Sequence, residues 1–309
     1  MLAWFADQAR DLPWRHTRDP YRILVAEVML QQTQVDRVLP KYAAFLDAFP
    51  SLDDLAAAPR AEVIRLWAGL GYNRRAVNLQ RAAQAVRDQH GGVFPQDVAL
   101  LQTLPGVGPY TAGAIACFAF EQPVAFLDTN IRRVVRRALV GPETAPPPTS
   151  DRQLLSLVAP LIPEDRAWAW NQAIMELGAL ICTAAAPACR RCPLKAHCQS
   201  YALWVVEDTE AVLAMAGDQP VARPLRRAAE RGPGYRPEAP FVGSNRWYRG
   251  RVVAVMRELS GDVTLPFAAL GPLVRDGYTP ADEAWLRELV AGLARDGLVV
   301  IVAAGVRLP

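Results

Sequence analysis

Leu104-Pro105-Gly106-Val107-Gly108-Pro109-Tyr110-Thr111 joins two helical patterns and contains two glycines, two residues apart, after a proline. This spacing predicts a tight hairpin with uncovered backbone N–H groups, because glycine adopts turn conformations that other residues avoid. The apolar helix that follows directs its N-terminal N–H groups and the positive end of its dipole outward, which favours phosphate. We therefore predict a helix–hairpin–helix whose phosphate-binding residues are Leu104, Gly106, Val107 and Gly108. An ordinary turn between two helices is the alternative for the motif alone.

Helical patterns fill most of the chain before residue 201. Apolar residues recur at helical spacing, the loops between them are short and strand-like alternation is scarce, so an all-α fold is predicted. Besides the helix after the hairpin, we predict helices at residues 4–10, 21–36, 38–49, 51–57, 60–66, 74–89, 95–102, 131–139, 151–161 and 167–180.

The sequence changes character after residue 201. Residues 217–241 are rich in proline and arginine and poor in large apolar side chains, which predicts an extended linker. Helical patterns at residues 246–259, 266–274 and 280–296 are followed by weak strand alternation around Gly305. Three helices and a terminal hairpin indicate a small winged-helix-like domain.

Length and charge set further limits. A chain of 309 residues predicts two or three domains. The net charge of +3 does not by itself indicate nucleic acid, and the local excess of arginine at residues 217–251 fits either a nucleic-acid contact or a solvated linker. Because the sequence shows no apolar run of eighteen residues and no export signal, we expect a cytoplasmic protein with no membrane partner.

Cysteines cluster near residue 190. Cys182, Cys189, Cys192 and Cys198 lie within seventeen residues, whereas Cys117 stands alone in an apolar helix and is interpreted as a core residue. Disulfides are not expected in a reducing compartment, so the four thiols predict a metal site. Thiolate chemistry alone fits both zinc and an iron–sulfur cluster. Zinc sites more often pair their cysteines as two close couples, and only one Cys-x-x-Cys is present here.

Several motifs together resemble a known family. The hairpin followed by Asp128 resembles the helix–hairpin–helix DNA glycosylases, a superfamily that includes endonuclease III. Two further stretches are similar to motifs of the MutY-type adenine glycosylases: Glu27-Val28-Met29-Leu30-Gln31-Gln32-Thr33-Gln34-Val35 and Gly69-Leu70-Gly71-Tyr72. The resemblance covers residues 4–201.

The resemblance implies a two-lobed all-α fold. Residues 21–125 are expected to form a six-helix barrel lobe with the helix–hairpin–helix, and residues 1–20 with 126–205 an iron–sulfur cluster lobe. A linker at 206–243 and the winged-helix-like domain at 244–309 complete the expected organisation. The cysteine spacing is similar to that of the family's cluster loop, which implies a [4Fe–4S] cofactor bound by Cys182, Cys189, Cys192 and Cys198.

Removing a purine from deoxyribose requires a protonated leaving base and a stabilised sugar cation, much as glycoside hydrolysis requires two carboxyl groups. Glu27 is the candidate acid, because apolar neighbours on its helix would desolvate it and keep its proton available. Asp128 is the candidate anion beneath the sugar, and Asn130 is expected to orient it. The alternatives are an arginine partner for Glu27 and a helix-capping role for Asp128. The resemblance places both at the family's catalytic positions.

Tyr110 occupies the position where strand-cutting family members carry a lysine for Schiff-base attack. The chain has two lysines, Lys41 and Lys195, and neither is placed to replace it. We therefore expect base removal without efficient strand cleavage. Tyr110 is interpreted as a pocket wall or hydrogen-bond partner near the sugar; the alternative is a packing aromatic.

The target base must leave the helical stack before it can react. Gln31, Gln32 and Tyr72 match the family residues that enter the stack and contact the orphaned base. Four further residues fall where the family's adenine pocket would be: Arg10, Trp14, Leu30 and Gln172. Their alternatives are core packing for Trp14 and Leu30 and surface positions for Arg10 and Gln172.

The chain departs from the family in three ways. No stretch after residue 201 resembles the β-rich C-terminal domain that reads 8-oxoguanine, and Asn73 and Thr129 replace the family's second tyrosine and its glycine. The winged-helix-like domain could grip flanking duplex through Arg246, Arg249 and Arg251, or could serve as a packing module. We expect a monomeric, nucleoid-associated enzyme that removes adenine opposite 8-oxoguanine or G from double-stranded DNA. The alternatives are a mismatch thymine or uracil glycosylase and a non-catalytic iron–sulfur mismatch-binding protein.

Overall fold

The computed structural model describes residues 1–142, 149–203, 241–259 and 263–309. The helices before the cysteine cluster are α1 (Leu2–Gln8), α2 (Pro20–Leu30), α3 (Val35–Ala48), α4 (Leu52–Ala57), α5 (Arg60–Leu66), α6 (Arg74–His90), α7 (Val98–Leu101), α8 (Pro109–Phe120), α9 (Thr129–Val135), α10 (Asp151–Val158) and α11 (Ala167–Leu180). The C-terminal elements are α12 (Asn245–Glu258), α13 (Phe267–Val274), α14 (Glu283–Arg295), β1 (Val300–Val302) and β2 (Gly305–Arg307). The predicted helical fold with a small C-terminal winged-helix-like domain is confirmed. The predicted linker lies outside the described residues except for 241–243.

The chain forms two compact units, with a boundary inside α8. One unit contains Met1–Asp11 and Gly113–Arg236, and the other contains Leu12–Ala112 and Pro237–Pro309. The C-terminal domain therefore belongs to the same unit as α2–α7.

In the unit containing residues 12–112, α2 is buried along nearly its whole length, because its sequence is apolar on every face. It packs on α3 and α6. Two helices are fixed at their ends: Ser51 and Asp54 form a capping box at the start of α4, and Gly91 ends α6 in the left-handed conformation.

One predicted helix is wrong at its end. The pattern at residues 21–36 predicts one helix, but α2 ends at Leu30 and α3 begins at Val35. The chain turns at Gln32, whose φ is +55°. The sequence contains no glycine or proline at this break. The turn is held instead by hydrogen bonds to a residue that is distant in sequence.

The C-terminal domain packs onto α5 and α6. Its three helices share a core with Ile64 and Val77 of those helices. Strands β1 and β2 pair antiparallel with Ile301 opposite Val306, and Leu265 forms an isolated bridge to Val306. The order of these elements is that expected of a winged helix: α12, the bridging residue Leu265, α13, α14 and the β1–β2 hairpin.

In the other unit, α9 packs closely on α11. Gly178 permits this approach, because a Cβ there would lie 2.8 Å from Cβ of Asn130. The first helix α1 also packs on α11, with Phe5 and Trp168 in edge-to-face contact at 6.3 Å. The apolar side chains of α11 thus form the centre of this unit.

Candidate active site

The hairpin has the geometry that its sequence predicts. Gly106 has φ +80°, and a Cβ there would lie 2.7 Å from Cβ of Asn78, so only glycine fits this turn against α6. The N–H of Val107 donates to the carbonyl of Leu104 at 3.1 Å, and both side chains are buried. Gly106 and Gly108 are exposed, and within the described residues their amides donate to no backbone carbonyl. The hairpin therefore presents free N–H groups beside the N-terminus of α8.

Glu27 lies in the last two turns of α2 and is only 4% exposed. Ile23, one turn earlier, is buried, while Leu30, one turn later, is half-buried at the end of the helix. A carboxyl group in such surroundings has little contact with solvent. The burial is the environment expected for a general acid at position 27.

Two loops near the end of α2 are tied together by Arg75. Its Nη1 donates to the carbonyls of Val28 at 2.8 Å and Met29 at 3.0 Å, and also to that of Gln31. Its Nη2 donates to Leu70 O at 2.9 Å, Gly71 O at 3.2 Å and Thr33 Oγ1 at 3.1 Å. Burial lowers the pKa of Arg75 to about 10, yet the group remains a cation at neutral pH. Sequence reasoning missed this residue.

The loops that Arg75 holds carry the residues expected to enter DNA. Gln32 and Tyr72 are exposed and have φ of +55° and +44°, a region that side-chain-bearing residues rarely occupy. Such strain persists only where surrounding contacts fix the backbone, and it concentrates at functional sites. Gln31 is half-buried, and its Nε2 donates to Thr111 Oγ1 in α8 at 3.4 Å. Tyr110 is half-buried in the first turn of α8.

In the other unit, Asp128 caps α9. Its Oδ1 accepts the N–H of Ile131 at 2.6 Å, and its Oδ2 accepts Asn130 Nδ2 at 3.1 Å. Asn130 is fixed in turn by Arg133 Nη2, which donates to Asn130 Oδ1 at 2.9 Å. Arg133 also donates to the carbonyls of Gly178 and Cys182, so the aspartate, α11 and the cysteine loop share one network. Asp128 therefore caps α9 and also accepts a hydrogen bond from Asn130.

The expected adenine-pocket residues have different surroundings. Arg10 binds Glu176 through its backbone N–H at 2.9 Å and through Nε and Nη2 at 2.8 Å each. Gln172 lies one turn before Glu176 on α11, and both are buried rather than on the surface. Trp14 is buried against Tyr42 at 5.4 Å in the other unit. Sequence reasoning missed Glu176, although an acid four residues after Gln172 in an apolar helix was a visible signal.

The four clustered cysteines line one small cavity together with Arg137. Arg137 is buried, donates to Thr183 O at 2.8 Å and approaches Cys182 Sγ at 3.7 Å. Burial and the neighbouring thiols raise the pKa of Cys189 to about 11. A metal bound here must therefore displace thiol protons. Within the described residues no three side chains of cysteine, histidine or acid type converge on a single ion.

The expected site residues are thus divided between the units. The unit that contains residues 12–112 holds Glu27, the hairpin, Tyr110, Trp14, Leu30 and the three DNA-entering residues. The other unit holds Asp128, Asn130, Arg10, Gln172 and the cysteines. Among the described residues, no helix has the length and hydropathy that a membrane span requires.

Comparison with known proteins defines the class and then the family. Residues 25–160 match the HhH-GPD superfamily of base excision DNA repair proteins. The adenine DNA glycosylase of Mycolicibacterium smegmatis is 41% identical over 266 residues, which cover 85% of this chain and 81% of that protein. The chain belongs to the adenine DNA glycosylase family, which confirms the resemblance. Because the match spans 266 residues, it extends beyond residues 4–201.

Solved structures share the fold. A thermostable thymine-DNA glycosylase superimposes with a TM-score of 0.61 and 32% identity, over 65% of this chain and 93% of that one. A trapped endonuclease III–DNA covalent intermediate superimposes with a TM-score of 0.56 and 25% identity, over 66% of this chain and 93% of that one. The two-lobed helix–hairpin–helix glycosylase fold is therefore established.

Proposed function

We propose that the protein is a monofunctional DNA glycosylase of base excision repair that hydrolyses the N-glycosidic bond of adenine opposite 8-oxoguanine or G. The observation that carries the proposal is the buried carboxyl of Glu27, directly before a strained turn that exposes Gln32. The family to which the chain belongs supports adenine as the base.

In the proposed reaction, the flipped adenine accepts a proton from Glu27 as the glycosidic bond breaks. The bonding electrons leave with the base, and a cation develops on the sugar. Asp128 stabilises that cation; the N–H of Ile131 and the Asn130 amide fix its carboxylate. Water then attacks the sugar and passes its proton to the Glu27 carboxylate, and the product is an abasic site.

The family's strand-cutting members use a lysine amine at the position of Tyr110, and a tyrosine cannot form a Schiff base. Water is therefore the proposed nucleophile throughout, and the DNA strand stays intact. We propose that the protein acts as a monomer on double-stranded DNA in the cytoplasm, at the nucleoid.

We also propose a [4Fe–4S] cluster bound by Cys182, Cys189, Cys192 and Cys198. Four thiols line one cavity, and thiolate sulfur is the ligand that iron–sulfur clusters use. When bound, the cluster would cross-link the loop that adjoins Arg133 and Arg137, and hydrolysis of a glycosidic bond requires no electron from it.

A second candidate is a thymine or uracil glycosylase acting on mismatches. The likeness to the thymine-DNA glycosylase structure favours it, although the sequence identity is lower than with the adenine glycosylase from Mycolicibacterium. The two candidates share their acid–anion chemistry and differ in the base that the pocket accepts.

Single-turnover base release tests these candidates. Duplexes carrying A, T or U opposite G or 8-oxoguanine are incubated with wild-type enzyme, Glu27→Gln and Glu62→Gln. We expect release of adenine, a loss of about three orders of magnitude in Glu27→Gln because a general acid is removed, and little change in Glu62→Gln because Glu62 is exposed on α5. Release of thymine or uracil alone would favour the second candidate, and full activity of Glu27→Gln would exclude the proposed acid.

A further inference from the structure

The C-terminal domain forms one wall of a groove beside Tyr72. The groove has a volume of about 610 Å³ and lies entirely within one unit. The loop Gly69–Tyr72 and the start of α6 form the opposite wall, and the groove also reaches Gln32. Five arginines and a single carboxylate, Asp296, line it, so its charge is strongly positive. We call it the Arg246 groove.

The wall contributed by the C-terminal domain is held in a defined position. Arg257 of α12 donates to Ile64 O at 2.8 Å and to Asn73 Oδ1 at 2.7 Å. Burial lowers the pKa of Arg257 to about 10, and the apolar contact with Ile64 and Val77 surrounds the link. Asn73, which replaces the family's second tyrosine, therefore serves as an attachment point for the C-terminal domain.

Arg246 lines this groove and lies close to two aromatic rings. Its guanidinium carbon is 4.9 Å from the ring centroid of Phe241 and 5.8 Å from that of Tyr72. Its Nη1 is 3.5 Å from the Tyr72 hydroxyl, at the limit of a hydrogen bond. An arginine stacked in this way keeps donors directed outward and loses little conformational entropy on binding an anion.

The other arginines at the start of α12 are already engaged. Arg249 pairs with Asp296, while Arg251 stacks on Trp247 at 4.8 Å and lies 3.7 Å from Asp276. Arg246 is exposed and has no carboxylate partner among the residues that the structure describes. Arg37, on the Gln32 side of the groove, is also exposed.

We propose that the Arg246 groove binds the sugar–phosphate backbone of the strand that retains the orphaned base, with Arg246 as a phosphate ligand. The inference rests on the proposed function, in which Tyr72 and Gln32 contact that base. Both residues line the groove, so the phosphates that pass through it belong to the same strand. Guanidinium groups bind phosphate oxygens through two parallel hydrogen bonds, and several in a row suit a phosphodiester backbone.

The salt dependence of DNA binding tests the proposal. Full-length protein carrying Glu27→Gln, which prevents turnover, is compared with and without Arg246→Ala on duplexes holding A opposite 8-oxoguanine, G or T. We expect Arg246→Ala to weaken binding to all three and to lower the slope of log K against log salt by about 0.9, the value for one phosphate contact. Arg246→Lys, which retains the charge, should restore most of the slope.

Arg287→Ala is the matched control. Arg287 lies in the same domain, is 56% exposed and pairs with Glu283 outside the groove, so its loss should leave the slope unchanged. Equal slopes for Arg246→Ala and Arg287→Ala would overturn the proposal. A loss confined to one orphaned base at unchanged slope would also overturn it, because it would assign base reading to Arg246. Failure of the wild type to release any base would contradict the proposed function while the slopes still report on the groove.

Discussion

At the scale of single residues, two charged side chains, Arg75 and Glu176, each join parts of the chain that are far apart in sequence. Glu27 and Asp128 can be selected from motifs, because local pattern and family resemblance both mark them. The partners of Arg75 and Glu176 cannot be assigned in that way, since Arg75 bonds residues up to 47 positions away and Glu176 bonds Arg10 across 166 positions. When its distant partners are not known, an arginine in a helix is interpreted as a solvent-exposed side chain.

Arg75 should contribute strongly to stability. Replacing it with lysine removes a planar donor set that satisfies carbonyls in two loops, and an ammonium group cannot serve them all. We expect Arg75→Lys to lower the free energy of unfolding of its unit by about 3 kcal/mol, because buried carbonyls are left unpaired. Urea denaturation measures this change. Arg74→Lys is the control, because Arg74 is 66% exposed and lies 3.6 Å from Asp296; equal losses in the two variants would contradict the anchoring role.

Tyr110 should prevent covalent trapping. Incubation of the wild-type enzyme with substrate duplex and borohydride is expected to give no stable protein–DNA adduct, because no lysine occupies position 110 to form a Schiff base. Endonuclease III, whose covalent DNA intermediate has been trapped, is the positive control. A strong adduct under conditions of full base release would refute the monofunctional assignment.

The sequence predicts which helices exist more accurately than it predicts the residues at which they begin and end. The helix at 60–66 agrees with α5 and that at 74–89 nearly agrees with α6, because apolar periodicity is a local property. The helix predicted at 21–36 was too long, since the turn at Gln32 depends on Arg75. Similarly, the predicted helix at 131–139 begins two residues earlier, at Thr129, because Asp128 caps it.

The contact between α9 and α11 is too close to accommodate an added methyl group at Gly178. In Gly178→Ala the new Cβ would lie 2.8 Å from Cβ of Asn130 and 3.2 Å from its carbonyl oxygen, so the helices must separate. We expect a loss of about 1–3 kcal/mol in unfolding free energy, as for other overpacked sites, and slower base release because Asn130 holds Asp128. Gly250→Ala is the control in α12, where a Cβ meets no atom within 4 Å. That variant should be stabilised by about 0.5–1 kcal/mol; a neutral Gly178→Ala would show that the contact is soft.

At the scale of the whole molecule, the family scaffold could be predicted from sequence, whereas the placement of the C-terminal domain could not. That domain belongs to the unit of α2–α7 because Arg257, Ile64, Val77 and Asn73 meet, and nothing in the local sequence pairs these residues. The same contacts bring Arg246 to Tyr72. The fold therefore explains why asparagine replaces the family's second tyrosine at position 73: its side chain accepts a hydrogen bond from Arg257 of the C-terminal domain.

Measuring the metal content of the purified protein tests whether an iron–sulfur cluster holds the cysteine loop. We expect protein purified without oxygen to contain about four irons and four sulfides per chain, and Cys192→Ser to lose iron and lower the melting temperature, because one cluster ligand is removed. Cys117→Ser is the control: Cys117 is fully buried, lies outside the cavity of the four thiols and accepts Asn171 Nδ2 at 3.3 Å, which a hydroxyl can replace. That variant should retain its iron. Stoichiometric zinc in place of iron would show that the four thiols bind a single ion, and unchanged iron in Cys192→Ser would show that Cys192 is not a ligand; either result would contradict the assignment.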